Sequence, residues 1–224
     1  MPDNIQHWPQ QEILMGLGVF SLYWDNIDER FPLCQKTVMS HLGIDVMQHK
    51  IHGLQHSDWM DWVLTSPCFK NIDVFLFLDI DCFPTHTSAL TRAFKAVNEN
   101  KILGCAQSAS HLSRPEDIYA GPFYLCLSRA TYDYIGKPSA RCDADFDVAQ
   151  RITVAARGFD VGIEYLWPTE VLMPKWKLGA DKTFGIGTTY DDCVFHLFES
   201  RSNQHIDILM ERATQAIARF KTQS

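Results

Sequence analysis

The chain has 224 residues, 46% of them hydrophobic and 21% charged, with a formal net charge of −7. That length suits one medium-sized domain with a substantial core, and the composition excludes global disorder. The acidic balance argues against a general nucleic-acid binder, so nucleic acid is not the expected partner.

In chain order, residues 13–24 are rich in Leu, Val, Phe and Tyr and read as a first strand, with a loop at Asp25-Asn26. Residues 29–42 fit a helix with Phe31, Val38 and Leu42 among its apolar positions and Gly43 as its stop. A short strand is expected over 44–51. Ser57 or Asp58 then caps a helix through Leu64, ended before Pro67. After a strand at 74–78, Thr85 or Thr87 opens a helix to about Asn98. Strands follow at 102–107 and 118–127, then helices near 128–135 and 145–157 and a strand at 161–166. Residues 175–189 combine Gly and Lys with low periodicity and read as a mobile loop. An amphipathic helix closes the chain at about 203–222, its apolar positions including Ile208, Leu209, Ala213, Ala216, Ile217 and Phe220. Strands alternating with helices predict an α/β fold with a mostly parallel central sheet flanked by helices, and no linker divides residues 1–224.

No apolar run approaches the roughly 20 residues that span a bilayer. The opening Met1-Pro2-Asp3-Asn4 lacks a basic stretch leading into an apolar one, so no secretory signal is expected. The seven cysteines are scattered and never form CxxC, which suits reduced, mostly buried thiols in a cytoplasmic setting.

The strongest chemical signal is Val74-Phe75-Leu76-Phe77-Leu78-Asp79-Ile80-Asp81. Five uninterrupted apolar residues predict a strand buried on both faces, and it ends in two carboxylates one residue apart. Carboxyl ends of parallel strands are where open α/β sheets build their sites. Two anions held so close repel, and a divalent cation shared between them relieves this.

The segment from Phe75 to Pro84 resembles the DxD region of glycosyltransferases with the GT-A (Rossmann-like) fold, which use nucleotide-sugar donors. The resemblance implies that Asp79 and Asp81 hold Mn²⁺ or Mg²⁺ against the donor's phosphates, with a UDP-sugar as the expected donor. Tyr119-Ala120-Gly121-Pro122-Phe123-Tyr124 is similar to the acceptor-side loop of that family. The stretch from Asp143 to Arg151 resembles its acidic helix start and puts Asp145 at the catalytic base, with Asp147 a competitor and Ala144 a departure from the usual Glu. Cys193 to Arg201 is similar to the closing segment, in which His196 would be a third metal ligand. The same resemblance puts Asp25 and Arg201 near the nucleotide. Lys175, Lys177 and Lys182 would reach the phosphates as the 175–189 loop closes on Gly179, Gly185 and Gly187. His49, His52 and His56 share no helical face and are not read as a metal site. The acceptor is open: glycan, small molecule or protein.

Two alternatives stand beside this reading. A haloacid-dehalogenase-like phosphatase also ends a buried strand in DxD, and Asp191-Asp192 would mimic its later acidic pair, although Phe83 stands where that family has Thr or Val. A non-catalytic nucleotide-sugar-binding protein is the other.

Overall fold

Strand β3, Val74–Asp79, shows how the sequence builds the architecture. Side chains alternate along a strand. Leu76 and Leu78 therefore enter one core, with Met39 and with Ala89, Ala93 and Val97, while Phe75 and Phe77 enter another with Trp59, Val63 and Ile152. All five apolar residues of β3 are buried, and each contributes about 1.5–3 kcal/mol on leaving water. The computed structural model describes residues 16–223; residues 13–15 of the expected first strand lie outside them.

β3 is a central strand of a six-stranded sheet. Its partners are β1 (Leu17–Tyr23), β2 (Met47–Lys50), β5 (Ile102–Ala109), β6 (Arg114–Ser128) and β7 (Ile163–Leu166), in the order β2-β1-β3-β6-β5-β7. Only β6 runs against the others. Helices α1 (Arg30–His41) and α3 (Ser88–Asn98) supply the first core, and α2 (His56–Thr65) and α5 (Gln150–Gly158) the second. The expected mostly parallel α/β sheet flanked by helices is what the chain forms. A short α4, Arg129–Tyr134, is capped by Ser128, whose hydroxyl accepts the Thr131 N–H at 2.9 Å.

Directly after β3 the chain enters a second, antiparallel sheet. Its strands β4 (Cys82–Pro84), β10 (Val194–His196), β9 (Lys182–Tyr190) and β8 (Pro168–Leu178) lie in the order β4-β10-β9-β8. The β8–β9 hairpin corrects the expected mobile loop at 175–189. Its outer strand alternates half-buried and exposed residues, so no continuous apolar run announces it. Gly185 is required there by space: a Cβ would stand 2.2 Å from the Met173 carbonyl oxygen. Of the three supposed hinge glycines, Gly179 sits in the turn at 179–181 and Gly185 and Gly187 within β9.

Helix α6, Ile206–Gln223, lays Leu209, Ala213, Ala216 and Phe220 against Phe31 and Val38 of α1 and against Phe83 and Phe195. No described helix is long and apolar enough to cross a membrane. All seven cysteines are free thiols, with Cys82, Cys105, Cys126 and Cys193 buried.

Two sequence expectations need correction at helix starts. Helix α2 begins after Gln55 with no side-chain cap, in place of Ser57 or Asp58. Helix α5 starts at Gln150 rather than 145, because Ala149 just before it takes a left-handed conformation (φ 61°) that an α-helix cannot run through; the N–H groups of Asp145 and Phe146 are accepted by the Asp143 carboxylate and that of Asp147 by Gln150 Oε1. Asp145 and Asp147 thus stand on the loop before the helix.

Candidate metal centre

The two sheets meet where β3 ends. Asp79 closes β3, Ile80 and Asp81 turn the chain, and Cys82 pairs antiparallel with His196 of β10. That pairing brings the His196 imidazole over the acidic pair. Its Nε2 lies 3.1 Å from Asp81 Oδ1 and 3.5 Å from Asp79 Oδ2. One ligand atom from each of the three residues falls within 4.8 Å of the other two.

The three differ in burial. Asp81 and His196 are almost fully enclosed, whereas the Asp79 side chain keeps 30% of its exposure. Burial works to raise the Asp81 carboxyl, but the His196 ring, with its charge and hydrogen bond, and the Ser200 N–H (3.3 Å) outweigh it and hold the group below the usual range. His196 is packed against Phe123 (centroids 4.2 Å apart) and Phe198 (3.6 Å). Its Nδ1 is buried with no hydrogen-bond partner among the described residues.

The turn is held from behind by a residue the sequence reading missed. Gln35 of α1 is fully buried, and its amide donates to the carbonyls of Asp79 (2.6 Å) and Cys82 (3.0 Å). Gln48 in turn donates to Gln35 Oε1 at 3.1 Å. A polar residue on the inner face of an amphipathic helix was the available signal.

A second missed residue is His56, the first of α2. Its Nε2 lies 3.5 Å from Asp79 Oδ1, and burial pushes its pKa down, favouring the neutral ring. The neighbouring histidines go elsewhere: His49 accepts the Trp59 indole N–H at 2.8 Å, and His52 pairs with Asp25 at 2.7 Å. The three histidines are not one site, as expected, yet His56 does join the acidic pair.

The centre opens into a cleft of about 600 Å³ bordered by Trp24, His56, Asp79, Asp81, His196 and Arg201, among others. The Arg201 guanidinium lies 4.6 Å over the Trp24 ring. The chain from Phe198 to Ser202 forms one wall, with Phe198 and Glu199 in left-handed backbone, as are Asn203 and His205 just beyond it. Lys175 reaches this rim through an ion pair with Glu199.

Other sequence candidates fall outside the cleft lining. Asp25 is exposed and bound to His52. Lys182 stands 5.9 Å over the Trp167 ring, and the Lys177 carbonyl accepts from Ser108. Asp145 is exposed. Asp147 is more enclosed, with Oδ2 3.3 Å from His111 Nδ1. Burial, followed by the Asp147 and Asp79 charges, pushes the Tyr119 hydroxyl well up. Arg151 pairs with Asp143. Asp191, the would-be phosphatase acid, instead holds Arg92 at 2.6 Å and the Trp167 N–H at 3.0 Å.

The donor set fits a divalent cation. Ion–ligand bonds of about 2.1 Å at right angles put neighbouring ligand atoms about 3 Å apart. The observed separations of 3.1 and 3.5 Å approach that value. Two carboxylates and an imidazole suit Mn²⁺ and its neighbours, and Mg²⁺ more weakly.

No protein-family model matches the chain, and no curated protein sequence matches it. Among solved structures it is similar to A197 from STIV, at 15% identity and a TM-score of 0.42 over 67% of this chain and 82% of that one. It is also similar to a mutant Drosophila beta-1,4-galactosyltransferase 7 in complex with manganese, UDP-Gal and xylobiose. There the identity is 12% and the TM-score 0.43, over 84% of this chain and 74% of that one. At such scores the chemistry rests on the site's own geometry.

Proposed function

We propose that this chain is a metal-dependent glycosyltransferase that moves a sugar from a nucleotide-sugar donor, a UDP-sugar, to a hydroxyl acceptor. The observation that carries the reading is the convergence of Asp79 and Asp81 with His196, far apart in sequence, at the carboxyl end of a central strand and open to a cleft. Asp79, Asp81 and His196 hold Mn²⁺ or Mg²⁺, which when bound offsets the charge that builds on the departing diphosphate.

The remaining roles follow from position. Arg201 offers a cation to the phosphates from the cleft wall, and Trp24 offers a flat apolar face beside it. Gln35 keeps the Asp79–Asp81 turn in one conformation, so that the carboxylates need not reorganise when the ion and donor arrive. If the anomeric centre inverts, a carboxylate must accept the acceptor's proton; Asp145 and Asp147, on the loop before α5, are the candidates, and Asp147, paired with His111, is the more enclosed of the two. Asp25 and Lys182 take no part. The phosphatase alternative is disfavoured because Asp191 is committed to Arg92 and Asp192 to Thr169.

The test is Mn²⁺-dependent release of UDP from a panel of UDP-sugars without acceptor, comparing the wild type with Asp81→Asn. Release that needs the ion and vanishes in the variant supports the reading and names the sugar. Binding of UDP-sugar by calorimetry with no turnover, even with candidate acceptors, favours a non-catalytic binding protein. The absence of both release and binding would sink the proposal.

A further inference from the structure

We propose that Gln48, on the outermost strand of the sheet, is a positioning residue for the acidic pair: acting through Gln35, it fixes the turn that carries Asp79 and Asp81 and so raises the affinity of the centre for a divalent cation. The inference rests on the reading that Asp79, Asp81 and His196 hold a metal. Gln48 lies on β2, at the edge of the sheet beside β1, and is not part of the cleft lining. Its amide nitrogen donates to Gln35 Oε1 at 3.1 Å and to the Pro32 carbonyl at 2.9 Å. The Gln35 amide nitrogen donates in turn to the carbonyls of Asp79 at 2.6 Å and Cys82 at 3.0 Å. Those carbonyls are the two ends of the turn, and Asp81 lies between them.

Only one orientation of the two amides satisfies this network. A side-chain amide donates from its nitrogen alone, and a backbone carbonyl only accepts. The Asp79 and Cys82 carbonyls therefore take the nitrogen of Gln35, which turns its oxygen toward Gln48. The Pro32 carbonyl takes the nitrogen of Gln48, whose second N–H meets that oxygen. Turning either amide over would set oxygen against oxygen, and Gln35 is wholly buried, where water cannot relieve the contact. Gln48 thus decides which end of the Gln35 amide faces the turn. A glutamine that merely held β2 against α1 would affect stability and leave metal affinity alone.

Calorimetric titration of the metal-free protein with Mn²⁺ tests this. Wild type, Asp81→Asn, Gln48→Glu, Gln48→Leu, Gln35→Met and the double variant Gln35→Met with Gln48→Leu are compared, with circular dichroism confirming that each is folded. Ser108→Ala is the control, since its buried hydroxyl donates to the Lys177 carbonyl, on strands other than β3 and β4, and its loss should cost stability alone. Both Gln48 variants should weaken Mn²⁺ about tenfold, the lower end of the range for residues that orient metal ligands, and Gln48→Glu the more, because it sets a carboxylate against Gln35 Oε1. Adding Gln48→Leu to Gln35→Met should cost less than about twofold more, because Gln48 acts only through Gln35. Ser108→Ala should bind Mn²⁺ as the wild type does. Unchanged affinity in both Gln48 variants, losses that multiply in the double variant, or an equal loss in Ser108→Ala would each overturn the proposal. If wild type binds no Mn²⁺, the metal reading itself falls. If Asp81→Asn abolishes binding while both Gln48 variants bind as wild type, only the role of Gln48 falls.

Discussion

Two acidic pairs in this fold are resolved in opposite ways. Glu164 and Asp191 both face Arg92, at 2.8 and 2.6 Å, so one guanidinium lies between two carboxylates. Asp79 and Asp81 face the imidazoles of His56 and His196, with no guanidinium or ammonium paired to them among the described residues, and Arg201 of the cleft is laid over Trp24. The first pair has its cation covalently attached to the chain. The second has donor atoms and shape but lacks an equivalent charge, which is the electrostatic condition under which an external dication is worth most.

The sharpest way to break this comparison is at Asp79. Asp79→Asn should lower Mn²⁺-dependent UDP release about 10²- to 10³-fold, because the lost ligand weakens stabilisation of charge in the transition state. Steady-state kinetics over a Mn²⁺ series would show it, and a variant retaining full turnover would contradict the assignment. Next in size is the effect of the ion on stability. Mn²⁺ at about 100 times its Kd should stabilise the wild type by about 2.7 kcal/mol. For a chain of this size that is a rise of roughly 5–10 °C in Tm, by calorimetric scanning. Asp79→Asn should show almost none of it.

Arg92→Met probes the other pair. It leaves two partly buried carboxylates unmatched and should cost about 2 kcal/mol in urea unfolding, discounted for their partial exposure. Its affinity for Mn²⁺ should be that of the wild type, and a large change there would mean that the two pairs are coupled. The smallest effects are expected at Asp145→Asn and Lys182→Ala. Each should change UDP release by less than about threefold, since neither side chain borders the cleft and surface substitutions are usually near neutral.

What was legible in the sequence divides along the same lines. The run from Val74 to Leu78 declared a doubly buried strand, and the two aspartates closing it declared the site, because both signals are contiguous. The alternation of strands and helices then led to the sheet. The β8–β9 hairpin was not legible, since β8 is largely exposed and β9, though mostly buried, is built from Thr and Gly with no apolar run. The start of α5 was misplaced because Ala149, an alanine with good helix propensity, takes a left-handed conformation that ends the helical path, and nothing in its residue type records this. His56 and Gln35 were missed for a different reason. Their value comes from crossings between α1, α2 and the β3–β4 turn, and nothing in local spacing records such a crossing. His196 was reachable only through family resemblance, its flanking Phe195 and Leu197 giving it the pattern of an ordinary core histidine.

The pairing of Cys82 with His196 also sets a temporal order on the centre. Asp81 and His196 are separated by 115 positions. At about 5–20 residues per second, synthesis delivers the second roughly 6–23 s after the first. Until β10 is made and docks on β4, the Asp79–Asp81 turn lacks its imidazole lid, and its carboxylates stand open to whatever cation is at hand. Capture by the full donor set is therefore among the last events of maturation, and it reports that the two sheets have joined correctly.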